Sequence, residues 1–555
     1  MSTATTSHQQ AAREFVYPTV YCVPRPTAHA AIESWTDASR PAPRARIHVA
    51  TGSTGVAAFR RAAERSVVIV PSRSTDHWHE APAETQAYEE RLLCSLLQLR
   101  DPALRMVYVT SGPIAPAIVD YYLSLLPSRV RRSARSRLTL FATGERSARP
   151  LSEKLLERPR LLERIRRAIA DPRSCHLVPY NTTPLESEVA IALGIPMYGA
   201  DPCHSHLGTK SGCRALFARA GVPYPLGVEG IVGAESAVEA IVRLRREQPG
   251  LERLVIKLND GVSGEGNAIV ELDGLPDAGA EDEARGVAAR VAALAPEAPG
   301  VKPQAFLGKL AVQGGIVEEW ITGELRSPSA QLQLTPDGEV QLVSTHDQIL
   351  GGASGQSYLG CRFPAEPSYA PAISSVAMRV GEQLADVGVI GRCAIDFVIR
   401  RAPGGNWEPF AIELNLRKGG TTHPFETLAS LTGGCYDRDA ATFTTPSGQR
   451  KFYVATDHLQ APELRDLGRD GVLSHARRGA LRFDALRRTG VVFHMLSSLD
   501  ELGRTGFTAI ADTAQDADEL YDRVGHTLLS RGVPCVDSDR ASRSAAPPVS
   551  SLLSA

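Results

Sequence analysis

Residues 411–424 read AIELNLRKGGTTHP, and polar residues occupy every second position early in this stretch. Because side chains alternate between the two faces of a β-strand, Glu413, Asn415 and Arg417 share one face. The residues between them are apolar, so the opposite face can pack into a core. A half-buried strand with a solvated polar face is the ordinary interpretation of such alternation. The neighbouring sequence favours a different interpretation, a binding site.

A second apolar run, CAIDFVIR (393–400), carries one carboxylate, Asp396. The residues RAPGGNW between the two runs predict a tight turn. A hairpin centred on the two glycines of that turn places Asp396 opposite Glu413. Facing carboxylates repel each other across a strand pair, and a cation between them would remove that cost. Since Asn415 adds an oxygen on the same face, the pattern predicts a Mg²⁺ site rather than a tolerated surface cluster.

Length and composition limit the class of protein. The chain has 555 residues, too many for one core, so we expect about three domains. A net charge of −1 gives no general attraction to nucleic acid or to an anionic membrane. The nine cysteines include no CxxC pair, which indicates neither a disulfide framework nor a zinc ribbon. No apolar signal core or membrane-length apolar run occurs in the sequence, which favours the cytoplasm.

Strand-like and helix-like runs alternate between about residues 45 and 200. RSVVIVP and LRMVYVTS predict strands, and AETQAYEERLLCSLLQL (83–99) predicts a helix. CHLVPY, NTTPLESEVAIALG and IPMYGA (195–200) predict strand, helix and strand, with Thr182 or Thr183 as the N-cap. This alternation predicts an α/β segment with a mainly parallel sheet. The last part of the chain predicts a small α+β module.

The stretch LVIKLNDGVSGEGNAIVEL (254–272) predicts a strand, a glycine-rich loop and a second strand. Gly261, Gly264 and Gly266 allow the backbone to bend tightly and bring its N–H groups close to an anion. A Walker loop or a Rossmann fingerprint would need a helix after the glycines, where this sequence predicts a strand. Lys257 lies inside the first strand, and a phosphate partner would offset the cost of burying its ammonium group. The alternative is a lysine on the solvent face of an edge strand.

Two further segments do not indicate a function on their own. TKSGCRALFARAGVPYP begins a predicted helix at Lys210 that ends at Gly221. GGIVEEWITGELRS (314–327) predicts a strand that ends in EEWI, followed by a turn at Gly323. Such a strand edge can offer backbone donors and acceptors to an adenine ring.

Taken in order, these segments resemble the ATP-grasp superfamily of carboxylate–amine ligases. The resemblance covers roughly residues 205–430, and it includes both lysines, the glycine loop, the EEWI hinge and the carboxylate pair. The E-x-N-x-R pattern of that family's metal-binding strand matches Glu413, Asn415 and Arg417. The longer stretch ELNLRKGGTTHPF resembles the pheganomycin-type peptide ligases, which carry additional N-terminal and C-terminal domains.

The resemblance implies roles for the residues that match. Lys210 and Lys257 would contact the ATP phosphates, and the loop 261–266 would fold over them. Arg417 would stabilise the γ-phosphate and a later oxyanion. The implied ligands of two Mg²⁺ ions, which Mn²⁺ could replace, are Asp396, Glu413 and Asn415. The implied adenine-binding residues are Glu318, Glu319, Trp320 and Ile321.

One position departs from the family pattern. In many relatives a ribose-binding Glu lies two residues after the hinge glycine, where this chain has Leu325. Glu324 directly follows that glycine and is the candidate ribose ligand here. His423 and His346 are expected near the substrates, as catalytic bases or hydrogen-bonding groups. A purely structural role for either histidine is equally consistent with the sequence.

The expected fold is α/β and α+β, with several domains. From the N-terminus we expect a disordered tail, a pre-ATP-grasp α/β domain, a central ATP-grasp domain, a small α+β domain and a second disordered tail. The corresponding ranges are 1–12, 13–205, 206–430, 431–539 and 540–555.

The resemblance implies an ATP-dependent ligase that joins a carboxylate, such as that of an amino acid, to an amine or peptide. The reaction would proceed through an acyl phosphate and release ADP and phosphate, since cations and an arginine suit phosphoryl transfer. The partners would be small molecules, and we also expect a homo-oligomer. Two alternatives stay open: a kinase that releases a phosphorylated product, and a nucleotide-binding regulatory module without catalysis.

Overall fold

The computed structural model of the chain describes residues 65–74, 82–261, 266–298, 300–351, 355 and 357–529. The predicted tails and Gly264 lie outside the described residues. Within them, the strands form sheets of four, five and nine strands and one short strand pair. None of the helices in these ranges combines the length and the apolar content needed to cross a bilayer.

The first sheet is parallel throughout, as the alternating sequence predicts. Its strands are β1 (Arg65–Val70), β2 (Leu104–Thr110), β3 (Leu138–Ala142) and β4 (Cys175–Pro179). They lie in the order β3-β2-β1-β4. Strand β1 is apolar because both of its faces are covered: Val67 and Val68 are both buried, but they belong to two different hydrophobic clusters.

The helices around this sheet include the predicted ones, with one difference. They are α1 (Pro82–Glu89), α2 (Pro116–Ser124), α3 (Ser128–Ser136), α4 (Leu151–Leu156), α5 (Pro159–Ala168) and α6 (Pro184–Leu193). The predicted helix 83–99 changes after α1 into the 3₁₀ helix Glu90–Arg100. Thr183 caps α6 in a capping box with Glu186.

The predicted strand IPMYGA is wrong. Only Met197 pairs with β4, in an isolated bridge to Leu177. The segment begins directly after Gly194, which has a left-handed backbone, and its second residue is Pro196. A proline has no N–H to give to a ladder, so regular pairing does not extend along this segment.

The five-stranded sheet is antiparallel and follows α7 (Lys210–Arg219). Its strands are β5 (Gly227–Ile231), β6 (Arg253–Leu258), β7 (Asn267–Glu271), β8 (Ala295–Pro296) and β9 (Gly315–Glu319), in the order β5-β9-β6-β7-β8. Three helices contribute to the core of this unit: α8 (Gly233–Glu247), α9 (Glu283–Ala292) and α10 (Pro303–Gln313). A strand therefore follows the glycine loop, as predicted.

The nine-stranded sheet contains the hairpin that carries Asp396 and Glu413, which we call the carboxylate hairpin. Its strands are β10 (Leu325–Arg326), β11 (Pro328–Leu334), β12 (Val340–Gly351), β13 (Ser357–Phe363), β14 (Gly391–Arg401), β15 (Trp407–Asn415), β18 (Phe452–Gln460), β19 (Gly490–His494) and β20 (Arg504–Ala511). The short pair outside it is β16 (Cys435–Asp437) and β17 (Thr442–Thr444). The order is β10-β14-β11-β12-β13-β18-β20-β19, with β15 beside β14.

The remaining helices are α11 (Ala370–Asp386), α12 (Thr422–Thr432), α13 (Pro462–Arg478), α14 (Ser498–Leu502) and α15 (Ala514–Leu529). The sheet crosses the predicted domain boundary at residue 430, because β18 hydrogen-bonds to β13. The domain ranges stay a prediction, and the C-terminal strands extend a sheet that begins before the boundary.

Candidate active site

The hairpin β14–β15 aligns its two carboxylates. Asp396 pairs with Glu413, and Ala394 pairs with Asn415, which confirms the predicted register. Gly405 turns the chain with a φ of 83°, a left-handed conformation that glycine adopts without strain. The register shifts by one residue directly after Asp396, a bulge of the kind that re-aims side chains beside functional sites.

Neighbouring side chains balance the charge of this pair. Lys210 begins α7 and places its Nζ 2.6 Å from Oε1 of Glu413. The amide nitrogens of Asn415 and Gln348 donate to the two oxygens of Asp396, each over 3.0 Å. Burial and the charge of Glu413 raise the pKa of Asp396 to about 7. Burial acts in the same direction on Glu413, but Lys210, Arg417 and Lys257 together outweigh it and lower the pKa of that carboxyl.

Lys257 is buried on β6, which lies between β7 and β9, so the edge-strand interpretation is wrong. Its ammonium group is also paired, because it forms an ion pair with Glu318. The second oxygen of Glu318 lies 3.0 Å from Nη1 of Arg214. The burial of Lys257 therefore has an explanation within the protein, and a phosphate is not needed to account for it.

The EEWI hinge is held by hydrogen bonds to both of its neighbours. The N–H of Glu319 donates to the carbonyl of Leu226 over 2.8 Å, and the Leu226 N–H donates to the Glu319 carboxylate over 2.9 Å. The N–H of Trp320 donates to the carbonyl of Arg253 over 3.2 Å. Ile321 is the first hinge residue whose N–H has no hydrogen-bond acceptor in the described part of the chain.

The stem of the glycine loop is formed by Gly261 and Gly266 at its two ends. Close backbone contact there accounts for glycine at these two of the three positions. A Cβ on Gly261 would lie 3.1 Å from the Cα of Gly266, and a Cβ on Gly266 would lie 3.2 Å from the Cα of Gly261. The N–H of Leu258 donates to the carbonyl of Gly266 over 2.8 Å, which closes the stem. The backbones at the two ends of the loop approach so closely that a Cβ at either position would require a small shift.

Comparison with known proteins shows the family of this chain. Residues 202–285 and 282–438 match the family described as IQCH-like, ATP-grasp, and residues 476–524 match the PGM1 C-terminal domain family. The chain is 32% identical over 452 residues to an L-propargylglycine–L-glutamate ligase of Streptantibioticus cattleyicolor, covering 80% of this chain and 90% of the relative. The chain belongs to the ATP-grasp carboxylate–amine ligases. It is an ATP-dependent, ADP-forming enzyme of that family.

Two further comparisons concern more distant proteins. The ligase is 25% identical over 451 residues to IQ motif-containing protein H of Danio rerio, covering 73% of this chain and 42% of that protein. The biotin carboxylase domain of the 2-oxoglutarate carboxylase from Hydrogenobacter thermophilus, solved with MgADP, ADP and bicarbonate, matches with a TM-score of 0.50. That match covers 84% of this chain and 90% of the other at 13% identity, so it shows the fold alone.

Three residues that contact the candidate site residues were not singled out from the sequence: Asn259, Gln348 and Arg214. Asn259 directly follows β6 and accepts hydrogen bonds from the first two backbone N–H groups of α7, those of Lys210 and Ser211, over 3.1 and 3.0 Å. Its amide also donates to the carbonyl of Gln313 over 3.0 Å. Asn259 therefore fixes Lys210 relative to the strand of Lys257. An asparagine directly after a lysine-bearing strand was the available signal.

Glu324 directly precedes β10 and is exposed. Its carboxylate lies 3.5 Å from Arg326 and 3.4 Å from Arg401, and its backbone carbonyl accepts from the N–H of Arg401. Its assignment to the ribose stays a prediction.

The two histidines occupy buried positions in the ligase. His346 is held by the hydroxyl of Tyr453, 2.7 Å from its Nε2. The Nε2 of His423 lies 3.1 Å from both Asp457 and His494. Burial lowers the pKa of His423 to about 4 despite the nearby carboxylate of Asp457, so its ring is neutral at neutral pH. Catalysis by His423 stays a prediction, and these contacts favour the structural alternative.

Proposed function

We propose that this ligase joins the carboxylate of one amino acid, or of an amino acid derivative, to the amine of a second amino acid or of a peptide. The name of the L-propargylglycine–L-glutamate ligase, a relative that matches most of this chain, supports amino acids as substrates. The observation that carries the proposal is the facing pair Asp396 and Glu413, with Lys210 bound to one of its carboxylates.

The hairpin residues fit Mg²⁺. Asp396, Glu413 and Asn415 present oxygen ligands on one strand pair. Burial and the charge of Glu413 raise the pKa of Asp396 to about 7, and a bound cation would offset this cost of holding two facing carboxylates. We propose two ions, with Glu413 as the ligand they share, and Mn²⁺ as an acceptable replacement. A bound Mg²⁺ would supply charge that neutralises the phosphates during transfer.

Positive side chains support the ATP site. We propose that Lys210 and Lys257 contact the phosphates, each from a buried position beside a carboxylate that fixes it. Gly261 and Gly266 flank the loop that we propose to contact the phosphates. The unused N–H of Ile321 is suited to an acceptor nitrogen of adenine, with Glu318, Glu319 and Trp320 shaping the hinge around it.

Arg417 is the proposed catalytic cation. Its guanidinium is half-buried, and its only hydrogen bond to a described residue goes to the carbonyl of Lys418, over 3.2 Å. The remaining N–H groups can bind the transferring phosphoryl group, whose charge must be neutralised. An oxygen of the substrate carboxylate attacks the γ-phosphorus, and the bond to ADP breaks. The amine then attacks the acyl carbon, and phosphate leaves.

Isotope transfer tests the reaction. Substrate amino acid labelled with oxygen-18 in its carboxylate is incubated with Mg²⁺–ATP and an amine-donor amino acid. We expect ADP and phosphate in equal amounts, one new amide and the label in the phosphate. AMP and pyrophosphate would contradict the proposed mechanism. ADP with no amide, and the label on a phosphorylated product, would identify a kinase, and ATP binding without turnover would identify a regulatory module.

Other expectations stay proposals with their own measurements. Light scattering of the purified chain tests the homo-oligomer. Limited proteolysis tests whether the ranges 13–205, 206–430 and 431–539 separate as domains, against the sheet that crosses residue 430. Cell fractionation tests the cytoplasmic location.

A further inference from the structure

Three metal-binding side chains converge outside the carboxylate hairpin. They come from three separate segments: His423 from α12, Asp457 from β18 and His494 from β19. The two Nε2 atoms lie 3.1 Å apart, and they lie 3.1 and 2.5 Å from the same carboxylate oxygen. All three side chains are buried, with exposed fractions of 2%, 3% and 4%.

Hydrogen bonds place two imidazole nitrogens in front of a single oxygen of Asp457. If both imidazoles carry their hydrogen on Nε2, both donate to that oxygen, and the two Nε2 atoms face each other over 3.1 Å as donors with no acceptor between them. If either Nε2 is bare, its lone pair faces the carboxylate oxygen of Asp457, also an acceptor. The Nδ1 of His423 has no partner among the described residues with or without a metal, so it does not distinguish the two cases. A cation, by contrast, accepts a lone pair from all three atoms at once.

The spacing of the three ligand atoms admits an ion once the 2.5 Å contact between Asp457 and His494 widens toward tetrahedral geometry. A circle through the three ligand atoms has a radius of about 1.7 Å, shorter than the ~2.0–2.1 Å at which zinc binds imidazole nitrogen. A point at the zinc distance from all three atoms therefore exists, just out of their plane. Two imidazoles and one carboxylate favour zinc, since Mg²⁺ prefers oxygen ligands alone.

Surrounding residues orient the ligands. Arg91, from the 3₁₀ helix Glu90–Arg100, lies 2.5 Å from the other oxygen of Asp457. This contact turns the first oxygen toward the imidazoles, as outer-shell partners of metal ligands do. Gly506 lies opposite His494 on β20, and a Cβ there would lie 2.0 Å from the His494 Nε2. Only glycine leaves the ring in this position.

We propose that His423, Asp457 and His494 bind one zinc ion, with a fourth position for a solvent molecule. The ion would connect α12, which follows the E-x-N-x-R strand, to two strands of the C-terminal segment. Because the three segments meet only in the folded chain, the binding energy of the ion would stabilise the fold.

Metal content tests the proposal. The full chain is produced in zinc-supplemented medium and dialysed against zinc-free buffer containing excess Mg²⁺, which displaces zinc from the carboxylate hairpin. We expect about one zinc per chain by mass spectrometry. His494→Asn should lower the zinc content at least tenfold. The control His346→Asn removes another buried histidine, and it should leave the zinc content unchanged.

Either of two results would overturn the proposal: a wild-type chain without zinc, or equal zinc in His494→Asn, which would put the ion elsewhere. A second measurement does not depend on the variant folding. Chelator-treated wild type given Co²⁺ in excess Mg²⁺ should show the visible absorption of a tetrahedral site and an increase in melting temperature. A chain that shows neither change would refute the zinc site and leave a hydrogen-bonded cluster.

Discussion

Replacing Glu318 by glutamine tests the buried charges beneath the proposed ATP site. Glu318 is 2% exposed and is the carboxylate shared by Lys257 and Arg214. Glutamine keeps the shape and removes the charge, so two buried cations lose their common partner. Removing one member of a buried ion pair costs about 3–5 kcal/mol. We expect the free energy of unfolding of the five-stranded sheet to fall by that amount.

The matched control is Glu229→Gln. Glu229 also contacts Arg214, with its Oε1 2.6 Å from Nε, but its side chain is 40% exposed. An exposed ion pair contributes about 0–1 kcal/mol, so the same chemical change should have little effect there. Hydrogen exchange of the β6 and β9 amides, measured against urea, reports the local free energy of unfolding for both variants.

Adding Mg²⁺–ATP to the same experiment tests whether Lys257 contacts the phosphates. If phosphates contact Lys257, Mg²⁺–ATP replaces part of the missing negative charge and should stabilise Glu318→Gln more than wild type. Equal stability of the two variants would refute the importance of the buried carboxylate. Equal stabilisation of Glu318→Gln and wild type by Mg²⁺–ATP would refute the contact between Lys257 and the phosphates.

Three further predictions concern the same site. Glu413→Ala should abolish ADP release without unfolding the chain, because it removes the shared metal ligand; near-normal turnover with unchanged circular dichroism would contradict the metal site. Mg²⁺ affinity should rise about tenfold from pH 6 to pH 8, because the raised pKa of Asp396, about 7, means that a proton must leave before the ion binds. Calorimetry should show the same rise in Mg²⁺ affinity in the control Asp347→Asn, which removes another carboxyl of raised pKa. An affinity in that control that does not change with pH would assign the proton to Asp347. Lys257→Ala should raise the KM for ATP far more than the exposed-site control Lys302→Ala, and equal KM values would argue against a phosphate contact.

The sequence by itself determined the local geometry of the site. Strand alternation and a turn of known length are short-range properties, so the pairing of Asp396 with Glu413 followed from counting residues. The strand after the glycine loop and the helix that begins at Lys210 also follow from local patterns. In contrast, the predicted strand IPMYGA was wrong because Pro196 interrupts the ladder.

Only the tertiary structure decided which distant residues share charges. Lys257 has a carboxylate partner because β6 lies beside β9, and strand order within a sheet leaves no local signal in sequence. The donation from Gln348 to Asp396 likewise depends on how distant strands come together. The convergence of His423, Asp457 and His494 requires the C-terminal strands to join the central sheet. Such contacts depend on long-range strand pairing, whereas residue spacing specifies only local secondary structure and the contacts of residues close along the chain.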